Sequence, residues 1–157
     1  DWQNWSWGAN LNLEASVQDG EAPLIAAQLE PWGAISFRRN SPFSTGDYRW
    51  LEMYIRGSSE GEPLLRVYLE TAEGVRLVAA PVNDCRHIAG GHVEANVWKQ
   101  VRIPLQDLNP NGLQVIRLTI QNASANPSPL FWLDNIRLIG AKEATYQVFL
   151  PLTVRGY

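Results

Sequence analysis

Three short segments of the sequence carry an aromatic, charged or amide side chain at nearly every second position. They are Tyr48–Gly57 (YRWLEMYIRG), Leu64–Glu70 (LLRVYLE) and Val115–Gln121 (VIRLTIQ). The alternate residues are apolar, so each segment has one apolar side and one polar or aromatic side. A sugar ring has an apolar face of C–H groups and a rim of hydroxyls. Aromatic rings beside arginine, glutamate and amide groups therefore suit sugar recognition.

The side chains that fit this recognition role come from several predicted strands. Trp32 stands between Pro31 and Gly33 in a predicted turn, where its ring would be exposed. Each net hydrogen bond contributes only about 0.5–1.5 kcal/mol, so several groups must converge even for micromolar binding. The predicted sugar-binding residues are Trp32, Arg38, Arg66, Tyr68, Glu70, Gln100 and Arg102. The same rows also suit an ordinary solvated face of a sheet.

The remaining tryptophans fit different environments. Trp5 and Trp7 share one face of a strand, and Trp50 begins a strand in which it is either exposed or packed. Trp98 and Trp132 lie inside predicted strands, so we expect them to pack against the core or an edge.

Catalytic and metal-binding motifs are weak by comparison. Cys85, His87 and His92 form a C-x-H-x4-H pattern, but a structural zinc site needs a fourth ligand. A Cys–His nucleophile pair would lack an orienting third group, and the segment fits a polar surface loop. The sequence contains no G-x-S-x-G, H-E-x-x-H or phosphate-loop motif. Glu52 and Glu70 would serve a glycosidase only at a separation that the sequence does not fix. We therefore predict no enzymatic activity.

The alternation predicts strands rather than helices throughout the chain. Turns rich in Gly, Pro and Asn, such as QDGEAP, GSSEGEP and NASANPSP, separate the strands. The predicted strands are Ser6–Glu14, Pro23–Leu29, Gly33–Arg39, Tyr48–Gly57, Leu64–Glu70, Val75–Val82, Val97–Leu105, Val115–Gln121, Leu130–Gly140 and Tyr146–Val154. One helical turn is expected at Gln106–Asn109. About ten short strands indicate an all-β fold, an antiparallel β-sandwich or jelly roll.

The composition of the 157-residue chain excludes several classes of function. A formal charge of −3 leaves no basic face large enough to suggest a nucleic-acid partner, and it disfavours binding to an anionic membrane for the same reason. No apolar run reaches the roughly 18 residues of a membrane-spanning helix, so no membrane insertion is expected. Cys85 is the only cysteine, which excludes an intramolecular disulfide. The chain begins at Asp1 rather than methionine. We therefore expect a mature or excised domain with flanking domains in a parent polypeptide and an extracellular or cell-surface location.

The order of these segments resembles a known family. NWSWGA, PWGAISF, YRWLEMYIRG, LLRVYLE, VWKQVRIPLQDL, VIRLTIQN and FWLDNIRLIG follow one another as in bacterial carbohydrate-binding modules with the galactose-binding-like jelly roll. The resemblance covers Trp2 to Gly140 and is sharpest in Trp98–Leu105 and Phe131–Leu138.

This resemblance implies where ligands would lie. The glycan would follow the concave sheet, which would carry the strands of Arg38, Tyr68 and Gln100. A structural calcium ion, which takes about six to eight oxygen ligands, would be held by Asp134. Glu21, in the loop before the second strand, would be a further calcium ligand.

Two parts of the chain and one function are thus predicted. Residues 1–140 form the carbohydrate-binding-module-like sandwich, and residues 141–157 form a linker and a C-terminal β segment docked on it, because an unpaired strand would aggregate. The predicted function is non-catalytic binding of a polysaccharide, with a β-linked plant-type glycan favoured. Such a domain would attach a larger secreted enzyme or surface protein to the glycan. The alternatives are an adhesive cell-surface sandwich with a protein partner and a compact jelly-roll hydrolase or lyase.

Overall fold

The computed structural model describes residues 2–17 and 24–140, and these residues form an antiparallel β-sandwich. The strands are β1 (Trp2–Asn4), β2 (Trp7–Ala15), β3 (Leu24–Phe43), β4 (Tyr48–Gly57), β5 (Leu65–Glu70), β6 (Ala80–Pro81), β7 (Trp98–Pro104), β8 (Val115–Asn122) and β9 (Phe131–Gly140). One helical turn, α1 (Leu105–Leu108), and a 3₁₀ turn at Ala89–Gly91 complete the described elements. The predicted all-β class is confirmed. The predicted strand Tyr146–Val154 and its linker lie outside the described residues.

Strand β3 belongs to both layers of the sandwich. Residues 25–27 of β3 pair with β9, and residues 34–38 pair with β8. The front sheet therefore contains β6, β5, β8, the second half of β3 and β1, in that order. The back sheet contains β7, β4, β9, the first half of β3 and β2. No helix among the described residues is long and apolar enough to cross a membrane.

The core lies between the two sheets and takes one side of each alternating strand. Ile35, Phe37 and Val67 face inward from the front sheet, and Met53 and Leu133 face inward from the back sheet. Each of these side chains is at most 1% exposed. Burial of such a side chain contributes roughly 1.5–3 kcal/mol, so this core fixes which residues of each strand point outward.

The segment 30–33 was predicted to be a turn but lies inside β3. Pro31 and Gly33 read as turn residues in the sequence, whereas here they accompany the bend that carries β3 from one sheet to the other. Trp32 adopts a φ of 61°, which redirects the strand. A Cβ on Gly33 would lie 2.1 Å from the carbonyl oxygen of Gly8, so only glycine permits this approach of β2 to β3.

Two further differences concern short strands. Strand β1 was not predicted, because its three residues give too little alternation to recognise. The predicted strand Val75–Val82 is reduced to Ala80–Pro81, since a hydrogen bond from the Thr71 amide to the Val75 carbonyl closes a turn there.

Candidate functional site

The outward face of the front sheet gathers most of the predicted binding residues. Three rows of side chains run across β5, β8 and β3 in the observed register. The rows are Arg66–Gln121–Ala34, Tyr68–Thr119–Ser36 and Glu70–Arg117–Arg38. We call this face the platform. It includes the side chains of Trp5 and Trp32, which border the three rows, and that of Arg76, which covers part of them. Its functional members are Trp5, Trp32, Ser36, Arg38, Arg66, Tyr68, Glu70, Arg76, Arg117, Thr119 and Gln121.

The centre of the platform is a low floor of two hydroxyl residues. Ser36 and Thr119 are both 0% exposed, and their hydroxyl oxygens lie 3.0 Å apart in a hydrogen bond. The backbone amide of Trp5 donates to the carbonyl of Ser36 at 2.8 Å, which brings the chain after β1 over this edge of the floor. Neither residue reaches solvent, so the accessible surface of the platform is formed by the larger side chains around this pair.

Trp32 borders the platform at one end, where the sequence predicted an exposed ring. Its side chain is 48% exposed. Its carbonyl oxygen accepts hydrogen bonds from the Trp7 indole at 3.2 Å and from the Gln121 amide at 2.8 Å. The Arg66 guanidinium lies 5.6 Å from the centre of the ring. These contacts fix the backbone at Trp32 while leaving much of the indole open to solvent.

Trp5 borders the opposite side of the floor and is 46% exposed. Its indole nitrogen donates to Gln3 at 3.0 Å, so the plane of the ring is held. The guanidinium groups of Arg38 and Arg117 lie 4.7 and 5.1 Å from the ring centre. Sequence reasoning did not select Trp5 because nothing in the sequence shows that the segment after β1 crosses the face of β3.

Tyr68 occupies the platform but is only 3% exposed. The guanidinium of Arg76, from the turn after β5, lies 4.9 Å from the centre of its ring. Arg76 is itself exposed. Access to the phenol face therefore requires Arg76 to move aside, and the alternating pattern of β5 gave no sign of this cover.

The polar groups of the platform are partly joined to one another. Arg117 forms an ion pair with Glu70 at 3.2 Å. The Arg66 side chain donates to the Gln121 side chain at 2.9 Å. Arg117 and Gln121 were visible as the polar side of β8 in the sequence, but the sequence did not show that β8 lies between β5 and β3.

Gln100 and Arg102 were expected to share a sheet with Arg38 and Tyr68, and this expectation is wrong. Both residues lie on β7, which pairs with β4 in the back sheet. The Gln100 amide and the Arg102 guanidinium bind Glu52 at 2.8 and 2.6 Å, and Arg137 also binds Glu52. The structure thus brings together five of the seven predicted residues and puts the other two on the opposite face of the molecule.

Glu52 is a fully buried carboxylate on this opposite face. Although burial opposes its ionisation, hydrogen bonds from Arg102 and Arg137 outweigh that effect and lower the pKa of Glu52. Trp50 stacks near Arg102 and Trp132 near Arg56, each at 5.6 Å. Trp98 and Trp132 both lie in register with Arg56, on either side of it, and therefore point to the outer side of the back sheet rather than into the core. Both side chains are half-buried.

Of the two predicted calcium ligands, Asp134 alone lies among the described residues. Asp134 faces outward from the back sheet in register with Tyr54, and both of its carboxylate oxygens accept hydrogen bonds from Asn135. Glu21 lies outside the described residues. In residues 2–17 and 24–140, no group of three or more His, Cys, Asp or Glu side chains could hold a metal ion. The calcium site stays a prediction.

The loop of Cys85, His87 and His92 likewise gathers no metal site in this part of the chain. Cys85 and His92 are exposed, whereas His87 is 4% exposed with its Nδ1 2.5 Å from the carbonyl of Pro81. His92 contacts the carbonyl of Gly90 at 2.9 Å. Each histidine is therefore engaged with the backbone of its own loop.

Comparison with solved structures places the sandwich among carbohydrate-binding modules by fold. The family 30 module of a cellulosomal cellulase of Clostridium thermocellum superposes with a TM-score of 0.58 at 17% identity, covering 88% of this chain and 92% of the module. A family 29 module, solved as an aspartate-to-alanine mutant in complex with mannohexaose, gives a TM-score of 0.54 at 16% identity, with 86% and 78% coverage. At these identities the likeness concerns the fold alone.

Sequence comparison adds a relative and a family. An endoglucanase of Dictyostelium discoideum is 27% identical over 141 residues, which cover 87% of this chain. The matched region is 19% of that relative, so the chain spans about a fifth of its length. Residues 1–141 match the family described as the expansin-like protein C-terminal domain. Since this match takes in nearly the whole sequence, the chain belongs to the family of expansin-like protein C-terminal domains.

Proposed function

We propose that this domain binds polysaccharide through the platform and catalyses no reaction. The observation that carries this proposal is the pair of half-exposed indoles, Trp5 and Trp32, on either side of the buried Ser36–Thr119 floor. The rings would stack on the C–H faces of sugar units. The side chains of Arg38, Arg66, Glu70 and Gln121 would hold the hydroxyl rim.

The platform supports binding more than hydrolysis. Acid–base cleavage of a glycosidic bond uses two carboxyl groups on opposite sides of that bond. Among the described residues of β3, β5 and β8, the outward rows of the platform hold one carboxylate, that of Glu70. That carboxylate is paired with Arg117 at 3.2 Å. A single paired carboxylate cannot supply both the acid and the base or nucleophile.

The comparisons support the same proposal from outside the molecule. The family 29 module of similar fold was solved with bound mannohexaose, and the Dictyostelium relative is called an endoglucanase. We therefore propose that the domain attaches a larger extracellular protein to a glycan, with β-linked plant polysaccharides as the first candidates. The calcium at Asp134 and Glu21 remains part of this proposal. The calcium site is tested by thermal unfolding: added calcium should raise the melting temperature of the domain, and a chelator should lower it.

The test is titration of the domain with a panel of soluble glucan, mannan, xylan and pectic polysaccharides, followed by calorimetry and tryptophan fluorescence. We expect binding in the micromolar to millimolar range, about −4 to −8 kcal/mol. Removal of one stacking ring should cost about 1.4 kcal/mol, so Trp5→Ala and Trp32→Ala should each weaken binding roughly tenfold.

Trp50→Ala is the matched control, because Trp50 also lies beside an arginine but on the back sheet. Its affinity should equal that of the unmodified domain. If none of the glycans binds to the folded domain, the proposal fails and the adhesive, protein-binding alternative gains support.

A further inference from the structure

We infer that the platform selects an acidic polysaccharide, one that carries uronate carboxylates along its chain. This inference rests on the proposed function and names the class of ligand for the same site. Four guanidinium groups and one carboxylate meet on the platform, which gives a formal charge of +3 on a chain whose total charge is −3.

The one carboxylate of the platform is already engaged. Glu70 pairs with Arg117 at 3.2 Å, and both side chains are less than a fifth exposed, at 16% and 19%. In residues 2–17 and 24–140, Arg38, Arg66 and Arg76 form no ion pair. Three cations thus remain without an anionic partner in the described part of the chain.

These three arginines lie against the aromatic rings instead. Arg38 lies 4.7 Å from the ring of Trp5, Arg66 lies 5.6 Å from that of Trp32, and Arg76 lies 4.9 Å from that of Tyr68. A guanidinium over a half-exposed ring such as that of Trp5 or Trp32 gains only about 0.5–1 kcal/mol. A bidentate hydrogen bond to a carboxylate is stronger, and its geometry fits arginine. A uronate whose sugar ring stacks on Trp5 or Trp32 would therefore bring its carboxylate next to the guanidinium of Arg38 or Arg66.

The hydrogen-bonding inventory of the platform points the same way. Arginine only donates hydrogen bonds, whereas sugar hydroxyls both donate and accept. The side-chain acceptors of the platform are largely occupied: Gln121 accepts from Arg66, and the Ser36 and Thr119 hydroxyls bond each other. The surplus of donors favours a ligand rich in acceptors, and a carboxylate is such a group.

The surrounding elements add little negative charge to the face. The described strands that flank it contribute Gln3 from β1 and Pro81 from β6. Glu30 lies in the bend of β3, and Glu73 lies in the turn that leads to Arg76; both are exposed to solvent. Water and salt screen such exposed carboxylates, so they weaken the attraction without cancelling it.

The experiment compares ligands that differ only in the carboxylate. Polygalacturonate is paired with its methyl ester, and glucuronoxylan is paired with the same polymer after its uronates are reduced to neutral sugars; neutral glucomannan completes the panel. We expect at least one acidic member to bind roughly tenfold more tightly than its neutral partner at low ionic strength. The preference should shrink between about 0.02 and 0.5 M salt, as screening shortens the range of the charges.

Variants locate the preference on the platform. Arg38→Gln and Arg76→Gln should each reduce the acid-to-neutral ratio several-fold, and thermal unfolding checks that they are folded. Arg49→Gln is the matched control, because Arg49 is exposed on β4 of the back sheet and its loss changes the net charge equally. The ratio of this control should be unchanged.

Each outcome is distinct. If the neutral members bind as tightly as the acidic ones, or if the preference is independent of salt, this inference is wrong while the proposed function stands. The inference is equally overturned if Arg49→Gln lowers the ratio as much as Arg38→Gln and Arg76→Gln, since the charge would then act from anywhere on the surface. If the folded domain binds no member of the panel, the proposed function itself fails.

Discussion

Glu52 shows what one buried charge does for the back sheet. Its carboxylate is 0% exposed and joins β7, β4 and β9 through Arg102, Gln100 and Arg137. Loss of this carboxylate removes charge-assisted hydrogen bonds from two arginines that are themselves 47% and 26% exposed, which costs about 1.5–3 kcal/mol. We expect Glu52→Gln to lower the free energy of unfolding, measured in urea, by about that amount, with glycan affinity unchanged.

The comparison for this substitution is Glu94→Gln. Glu94 pairs with Lys99 at 3.1 Å, but its side chain is 48% exposed. Exposed pairs contribute about 0–1 kcal/mol, so this variant should unfold almost like the unmodified domain. Equal losses in the two variants would show that the burial of Glu52 does not matter.

The lowered pKa of Glu52 gives a direction for the pH dependence. An acid whose pKa is lower in the folded state stabilises the fold above its unfolded pKa, and this contribution disappears as the pH falls through the folded value. Burial opposes the charged form of Glu52, and the bonds from Arg102 and Arg137 more than offset it. The difference in the free energy of unfolding between the unmodified domain and Glu52→Gln should therefore be largest at neutral pH and should decrease below about pH 4. A difference that grows in acid would contradict this assignment.

At the scale of elements, the contact between β2 and the bend of β3 positions the Trp32 ring. A Cβ on Gly33 would lie 2.1 Å from the Gly8 carbonyl oxygen, so β2 must move away in Gly33→Ala. Overpacking of this kind costs typically about 1–3 kcal/mol. We expect a lower melting temperature together with weaker glycan binding, because the Trp7–Trp32 hydrogen bond lies at the same bend.

Gly46→Ala is the control for this substitution. A Cβ on Gly46 would approach only the Ser44 hydroxyl, at 3.3 Å, in an exposed turn. Gly46→Ala should change the free energy of unfolding by no more than about 0.5 kcal/mol and should leave the affinity for the glycan unchanged. If Gly33→Ala matches this control, the close approach does not hold the bend.

The sequence predicted individual strands better than their neighbours. Tyr48–Gly57 was predicted with the bounds that β4 has, and the alternation correctly put Leu51, Met53 and Ile55 on its inner side. Alternation depends only on one strand and its core face, so it can be read locally. Which strands pair depends on the path of the whole chain, and the outer rows of both sheets have the same composition of Arg, Glu and aromatic residues. Gln100 and Arg102 were grouped with the platform for this reason.

The candidate site was predictable in part for the same physical reason. Arg38, Arg66 and Glu70 point outward as their strands require, and Trp32 is exposed as its Pro–Trp–Gly context suggested. The contributions of Trp5 and Arg76 come from segments between regular strands. Their positions follow from tertiary contacts, which carry no periodic signal in the sequence.

At the scale of the molecule, the sandwich has two outer faces that both carry aromatic rings and arginines. On the back sheet Arg102 and Arg137 bind the buried Glu52, and Arg56 lies beside Trp132 without an ion pair among the described residues. On the platform three arginines have no anionic partner in the described part of the chain. The two half-exposed indoles Trp5 and Trp32 border the platform, while Trp50, Trp98 and Trp132 are more deeply set in the back sheet. We therefore propose that a glycan binds to the front sheet.

The most direct measurement is an NMR titration that follows the indole N–H signals of the seven tryptophans as the tightest-binding oligosaccharide of the panel is added. A stacked sugar changes the shielding of the ring that it covers. We predict saturable shifts for Trp5 and Trp32 and constant positions for Trp50, Trp98 and Trp132. Shifts confined to the back-sheet tryptophans, or binding that leaves Trp5 and Trp32 unmoved, would contradict the assignment of the platform.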